Sequence, residues 1–305
     1  MSVTSWYMTM IRFVRARISA HIRAKDSNVG GQLKRRTFLR PQRLRQPLTR
    51  PHGERPSALQ APPVKTSRSP LALDHRAIAK RFAKSVARTV QQPPPESENL
   101  TYHWIVNETR LPYLKLDIIV PVATILSELE NIQDLFVPHL DYGSTQGWYS
   151  FCLHGKAYDA TREDSFYPDE RPYDWTPEAL ERMPETVRYF QHLWPHDRYQ
   201  RLRVMRLSPG GYIGVHQDSS TCRLGPINIA VTQPAKCQFL MEGCGVIPFV
   251  EGDSILLNVS YRHAVFNDSP NDRYHIIIHQ NASDEFENLV IRSYQSVHKR
   301  VQLKT

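Results

Sequence analysis

This 305-residue sequence predicts a mainly β fold with flanking helices, a jelly roll or cupin-type barrel. From residue 201 onward, short alternating runs follow one another: "RLRVMRL", "YIGVHQD", "INIAVTQ", "CQFLMEG", "VIPFV", "SILLNV", "RHAVFN" and "RYHIIIH". Gly, Pro, Asn and Asp separate them, and strands this short and evenly spaced close into barrels or sandwiches rather than doubly wound sheets. No internal repeat is evident.

Taken in order, "TYHWIV" at 101–106 reads as an entry strand. "PVATILSELENIQDLF" reads as a helix with Ile125, Leu129, Ile132 and Leu135 facing inward. "GWYSFCLHG" is a strand, and "DATREDSFYPDERPYD" an acidic loop. "TPEALERM" and "PETVRYFQHLW" are helices with proline in the first turn, and Thr176 caps the first of them.

Charge is distributed unevenly. Residues 1–100 hold 20 lysines and arginines against 5 acids, a net +15, whereas the remaining 205 hold 19 against 25, a net −6. The overall +9 therefore belongs to the N-terminal segment rather than to the folded body. With ten prolines and no sustained apolar period, residues 1–98 read as a basic, Pro-rich, disordered extension.

Two islands within the extension are amphipathic. Ile11, Val14, Ile18 and Ile22 share one helical face, and Ile78, Phe82, Val86 and Val90 recur every four residues behind Asp74 as a cap. An Arg-rich, acid-poor start also fits an organelle-targeting peptide, and its charge fits a tether to nucleic acid or anionic membrane. "QQPPPESE" reads as the linker into a domain spanning 99–295, with 296–305 as a tail. No apolar run approaches the roughly 18 residues of a membrane span. Cys152, Cys222, Cys237 and Cys244 form no Cys-x-x-Cys pair. Without a secretory signal they read as free thiols in a reducing compartment, cytoplasmic or, through the basic segment, organellar.

The chemistry-bearing residues lie in the strand-rich region. In "RLSPGGYIGVHQDSS" a Pro-Gly-Gly turn starts a strand whose alternation puts His216 and Asp218 on one side. Two such groups can take two cis positions on one metal ion, and "LLNVSYRHAVFNDS" offers His263 from another strand as the third ligand. Two neutral imidazoles and one carboxylate form the facial set that suits Fe(II), leaving positions open for substrate and oxygen. A structural zinc site would be closed and richer in cysteine. Ten residues past His263, Arg273 shares a strand face with His275, Ile277 and His279. An inward guanidinium needs an anion, and a dicarboxylate chelating the metal at one end would meet it at the other.

The order His-x-Asp … His … Arg, with the last two ten apart, resembles the Fe(II)/2-oxoglutarate-dependent oxygenases. The text "RLSPGGYIGVHQD … LGPINIAVTQPAKCQFLMEG … EGDSILLNVSYRHAVFNDSPNDRYHIIIH" over roughly 201–280 is most similar to their aspartyl/asparaginyl β-hydroxylase branch. The resemblance implies a double-stranded β-helix, His216, Asp218 and His263 as iron ligands, and Arg273 as partner of the distal 2-oxoglutarate carboxylate. It implies Fe(II), 2-oxoglutarate and O2 as the cofactor set. It also implies hydroxylation of a C–H bond of an amino acid, peptide side chain or related small molecule. Animal aspartyl hydroxylases of the branch lack the acidic ligand that Asp218 supplies here. They carry a second arginine where this chain reads "RLGPIN", a place that Arg223 or Asn228 would have to fill.

Two other readings are weighed beside it. One is a cupin-like protein that binds a metal or small acid without oxidising anything. The other is a nucleic-acid dealkylase, against which His279 counts, because those enzymes carry a second arginine six residues after the first. For individual residues, His275 and His279 read as pocket or core histidines. Ser260, Tyr261 and Asn267 read as turn residues, and Trp148, Tyr149 and Arg162 as elements of a substrate lid. The prime substrate and the oligomeric state are not legible in the sequence.

Overall fold

A computed structural model describes residues 70–84, 100–139, 144–161 and 173–302. The island at 11–22, Val86 and Val90, the 91–98 linker, most of the acidic loop and Arg162 lie outside the described residues.

Eleven strands build the fold: β1 (Tyr113–Leu116), β2 (Val137–Pro138), β3 (Thr145–Gly155), β4 (Asp174–Trp175), β5 (Arg198–His216), β6 (Ile227–Ala230), β7 (Cys237–Met241), β8 (Gly245–Val246), β9 (Ser254–Leu257), β10 (His263–Asn267) and β11 (Arg273–Asn281). Their order is β1-β9-β6-β11-β5-β10-β7-β8, with β3 along the other edge of β5, and the pairings are antiparallel. The jelly-roll expectation agrees with this mainly antiparallel β architecture.

The Pro-Gly-Gly stretch is not a turn between two strands. "RLRVMRL" and "YIGVH" are one 19-residue strand, β5, that bends at Pro209–Gly211. Its first half pairs with β11 up to Leu207, and its second half pairs with β10 from Tyr212. The bend is forced locally. Pro209 has no N–H for the ladder, and Gly210 takes a φ of 72°. A Cβ on Gly211 would stand 2.8 and 2.9 Å from the carbonyls of Ser208 and Gln146. The kink lets one strand serve both halves of the barrel.

Alternation on these strands separates two cores. Leu202, Val204, Ile227, Ile229, Ile276 and Ile278 point outward under the helices. There they meet α2 (Tyr102–Asn107), α3 (Val122–Leu129), α4 (Pro177–Arg182), α5 (Pro184–His192) and α6 (Asp284–Gln302). Leu207, Ile213, Phe239, Phe249, Ile255, Leu257 and Val265 point inward and pack the barrel. Strands β6, β9 and β10 are buried on both faces, so their polar members, Asn228, Ser254, His263 and Asn267, are buried with the apolar ones.

Several expectations need correction. "TYHWIV" is the helix α2, because the Thr101 hydroxyl caps it by accepting the Trp104 N–H and Ile105 and Val106 bury on one side. The helix over 122–135 is α through Leu129 and then 3-10 from Glu130, which leaves Leu135 half-buried. Residues 70–84 form a helix, α1 (Pro70–Lys84), that starts ahead of the expected Asp74 cap. Ala79 and Phe82 of this helix bury against Tyr212, Leu240, Ala264 and Phe266, so disorder over 1–98 does not hold there. The helix α6 runs unbroken across the expected 295/296 boundary to Gln302. Among the described residues no helix is long and apolar enough to cross a membrane. All four cysteines are free thiols, as expected.

Candidate active site

His216 ends β5, and His263 begins β10 directly opposite it in register. Asp218 lies beyond the strand end and not on it; its N–H donates to the Val259 carbonyl at 3.1 Å, which turns the carboxylate back to the histidines. Strand alternation therefore does not explain why Asp218 faces His216; the loop bond to Val259 does.

One ligand-type atom from each of these three residues falls within 4.8 Å of the others. His216 Nε2 and His263 Nε2 each stand 3.5 Å from an Asp218 oxygen, and the two imidazole centroids are 4.2 Å apart. Each ring has its other nitrogen against a backbone carbonyl: His216 Nδ1 on Gly214 at 2.8 Å, His263 Nδ1 on Tyr261 at 2.9 Å. A neutral ring donating its Nδ1–H there presents a lone pair at Nε2, so three acceptor groups converge on one point. A cation reconciles them, and the donor set of two imidazoles and a carboxylate suits Fe(II). Burial pushes the Asp218 carboxyl up; when His216 and His263 are protonated and no cation is bound, their hydrogen bonds and charge outweigh burial and hold the group well below the usual carboxylate range.

A cavity of about 470 Å³ extends from these residues into the barrel, and Arg273, Asn228, His275 and His279 line it. Arg273 is 5% exposed and has no carboxylate partner among the described residues. Its guanidinium meets His275 Nδ1 at 2.8 Å and Gln233 Oε1 at 3.5 Å, and Phe249 lies beneath it at 5.9 Å. His275 is thus a buttress, hydrogen-bonded through Nε2 to Gln233 at 3.1 Å. Burial and then the Arg273 charge push the His275 pKa well down, which leaves a neutral ring to accept from the arginine. Burial likewise lowers Arg273 to about 10, still a cation at neutral pH. Between the two ends, His263 stacks on Phe239, Phe239 meets Phe249, and Phe249 meets His275 edge-on. Of these rings, Phe239 and the two histidines line the cavity, so Phe239 gives it an apolar face beside His263.

Asn228, on β6 opposite Ile277, is 5% exposed and lines the cavity, with no described residue hydrogen-bonded to its amide. Trp148 reaches the cavity, packed on His139 with ring centroids 4.1 Å apart. Tyr149 does not; it faces the other side under Arg206. Ser260 and Asn267 hold turns through Asn258, Ser269 and the carbonyls of Leu207 and Ser208. Tyr261 does the same through Arg110.

Arg201, Arg203 and His139 also line the cavity, and the sequence reading missed them. The signal was present: in "RLRVMRL" the arginines at 201 and 203 alternate with apolar residues in register with His279 and Ile277. His279, pushed down to about 3 by burial and then by Arg201 and Arg203, stands neutral beside them; the Asp218 charge opposes that shift.

The aspartyl/asparaginyl β-hydroxylase family model matches residues 121–281, more than half of the chain. No curated protein matches the chain. Among solved structures, the chain is similar to an oxidoreductase of the 2OG-Fe(II) oxygenase family from Burkholderia pseudomallei, at 17% identity and a TM-score of 0.35 over 56% of this chain and 87% of that one. A Pseudomonas putida prolyl-4-hydroxylase matches at 11% identity and 0.33, over 56% of this chain and 94% of its own. A viral collagen prolyl hydroxylase from Paramecium bursaria Chlorella virus-1 matches at 14% and 0.33, over 57% and 97%. Family membership rests on the matched family model and not on these distant likenesses. That model spans β5 through β11, the strands that bear His216, His263 and Arg273, and by it the chain belongs to the aspartyl/asparaginyl β-hydroxylase family, whose members are 2-oxoglutarate-dependent hydroxylases.

Proposed function

We propose that the protein hydroxylates a C–H bond of an amino acid, a peptide side chain or a related small molecule. His216, Asp218 and His263 hold Fe(II), and Arg273 takes the distal carboxylate of 2-oxoglutarate. The observation that carries this reading is a single cavity with converging acceptors at one end and a buried guanidinium without a carboxylate at the other. Bound there, Fe(II) with 2-oxoglutarate and O2 supplies the oxidising chemistry.

The chain's own contribution is geometric and electrostatic. The Gly214 and Tyr261 carbonyls fix which nitrogen each histidine presents, and the carboxylate adds the negative charge. His275 and Gln233 orient the Arg273 fork so that it can meet a carboxylate in two parallel bonds. Phe239, stacked on His263 at the cavity wall, shields that ligand from water, which strengthens its interaction with a bound cation.

Anaerobic titration tests the reading. Fe(II) alone is expected to bind, and added 2-oxoglutarate to produce the weak visible charge-transfer band of the chelate. A chain that binds neither would return the protein to the non-catalytic cupin-like class. A succinate-release screen across amino acids and peptides then identifies the substrate.

A further inference from the structure

The helix α1 lies upstream of the matched region 121–281, yet it reaches the strand that carries His216. We propose that α1 supports the metal centre, with His75 as a positioning residue for His216; this rests on the reading of the triad as that centre.

The reason begins with the β5–β10 ladder. His263 pairs with His216 and Val265 with Ile213, so Gly214 and Val215 together oppose Ala264. Two residues against one is a bulge, and a bulge leaves ladder amides without a cross-strand partner. Here other parts of the chain satisfy them. The Val215 N–H donates to His75 Nδ1 at 3.0 Å, and the Gly214 N–H donates to the Ser144 carbonyl at 2.7 Å. The Gly214 carbonyl in turn accepts from His216 Nδ1 at 2.8 Å.

The His75 ring is packed directly on this peptide. A Cβ on Gly214 would come within 3.0 Å of its Cε1 and Nε2, and within 2.5 Å of the Ser144 oxygen, so only glycine fits. The contacts therefore run unbroken from the helix, through the 214–215 peptide, to the orientation of the His216 imidazole.

The helix is anchored to do this. Arg76 makes a two-pronged pair with Asp268, at 2.6 and 2.5 Å, and lies over Phe266 at 4.4 Å. Asp268 follows β10 directly, so α1 ties together the two strands that bear the histidines.

Fe(II) titration of the full-length chain, anaerobic and without 2-oxoglutarate, tests the inference. His75→Leu removes the acceptor at similar size and is expected to weaken Fe(II) binding about ten-fold or more, the scale of losing a group that orients a ligand. His75→Asn, whose amide oxygen can accept the same N–H, is expected to stay within about three-fold of wild type. A merely structural role would lower the apo melting temperature and leave affinity untouched. Should His75→Leu not fold, Arg76→Met, away from the cavity, is expected to move affinity in the same direction by about three-fold. Folded variants that bind Fe(II) as the wild type does overturn the helix's role alone. A wild type that binds no Fe(II) overturns the metal-centre reading and this inference with it.

Discussion

The two ends of the cavity are built on opposite deficits. At the outer end His216 and Asp218 have side chains 29% and 39% exposed, and acceptor atoms face one another there. At the inner end Arg273 is 5% exposed, and its described partners, His275 and Gln233, are neutral. On the proposed reading a cation would complete one end and an anion the other, and a dicarboxylate chelating that cation would span the two. An unpaired charge as buried as Arg273 is costly, so the inner end does not contribute to stability by itself. Both are arrangements for binding.

This contrast predicts that the ends fail separately. The largest effect is expected from Asp218→Ala, which should weaken Fe(II) binding by about 100-fold or more, since even the groups behind metal ligands cost 10–100-fold. Calorimetric metal titration checks it, and near-wild-type affinity would break the triad reading. Next comes Arg273→Met. Losing one partner of a buried charge pair costs about 2–5 kcal/mol, so the KM for 2-oxoglutarate should rise roughly 30-fold or more. Binding of Fe(II) alone should stay within about three-fold, because no metal-binding atom changes. An equal loss of metal affinity would show that the two ends are one structural unit.

The smallest effect concerns stability. His275 and His279 titrate in the folded protein below the ordinary histidine value of 6.5, His279 at about 3. The unfolded chain takes up protons that the folded one refuses, so stability is whole above about 6.5 and falls as pH drops beneath it. Each group contributes up to about 1.4 kcal/mol per pH unit. Thermal unfolding of the apo protein from pH 7.5 to 5 should show the decline, and His275→Asn should flatten it.

The legible part of the site follows from alternation and turns. His216, His263 and Arg273 lie on strands whose apolar partners declare which face is inward, and Ile276 falls on the opposite face as read. The sequence misleads where local signals compete. The Pro-Gly-Gly stretch has turn chemistry, but pairing with β3 on one side, and with β11 and then β10 on the other, carries β5 through it. "TYHWIV" has strand-like residues, and the Thr101 cap makes it a helix. The helical period of the α1 segment, Phe82 included, was legible, but its packing was not, because the burial partners of Ala79 and Phe82 lie more than a hundred residues away.

By itself the sequence determined the β-rich class, the inward faces and the identities of the ligand-type residues, because side-chain alternation and turn residues are local properties. Tertiary structure decided what those residues amount to. It placed His263 opposite His216, turned Asp218 back from beyond a strand end, set Arg273 against neutral neighbours, and brought His75 to a bulge 140 residues downstream. Each of these is a meeting of distant chain segments, fixed by ladder register and by the need to satisfy buried polar groups, and no local pattern encodes it.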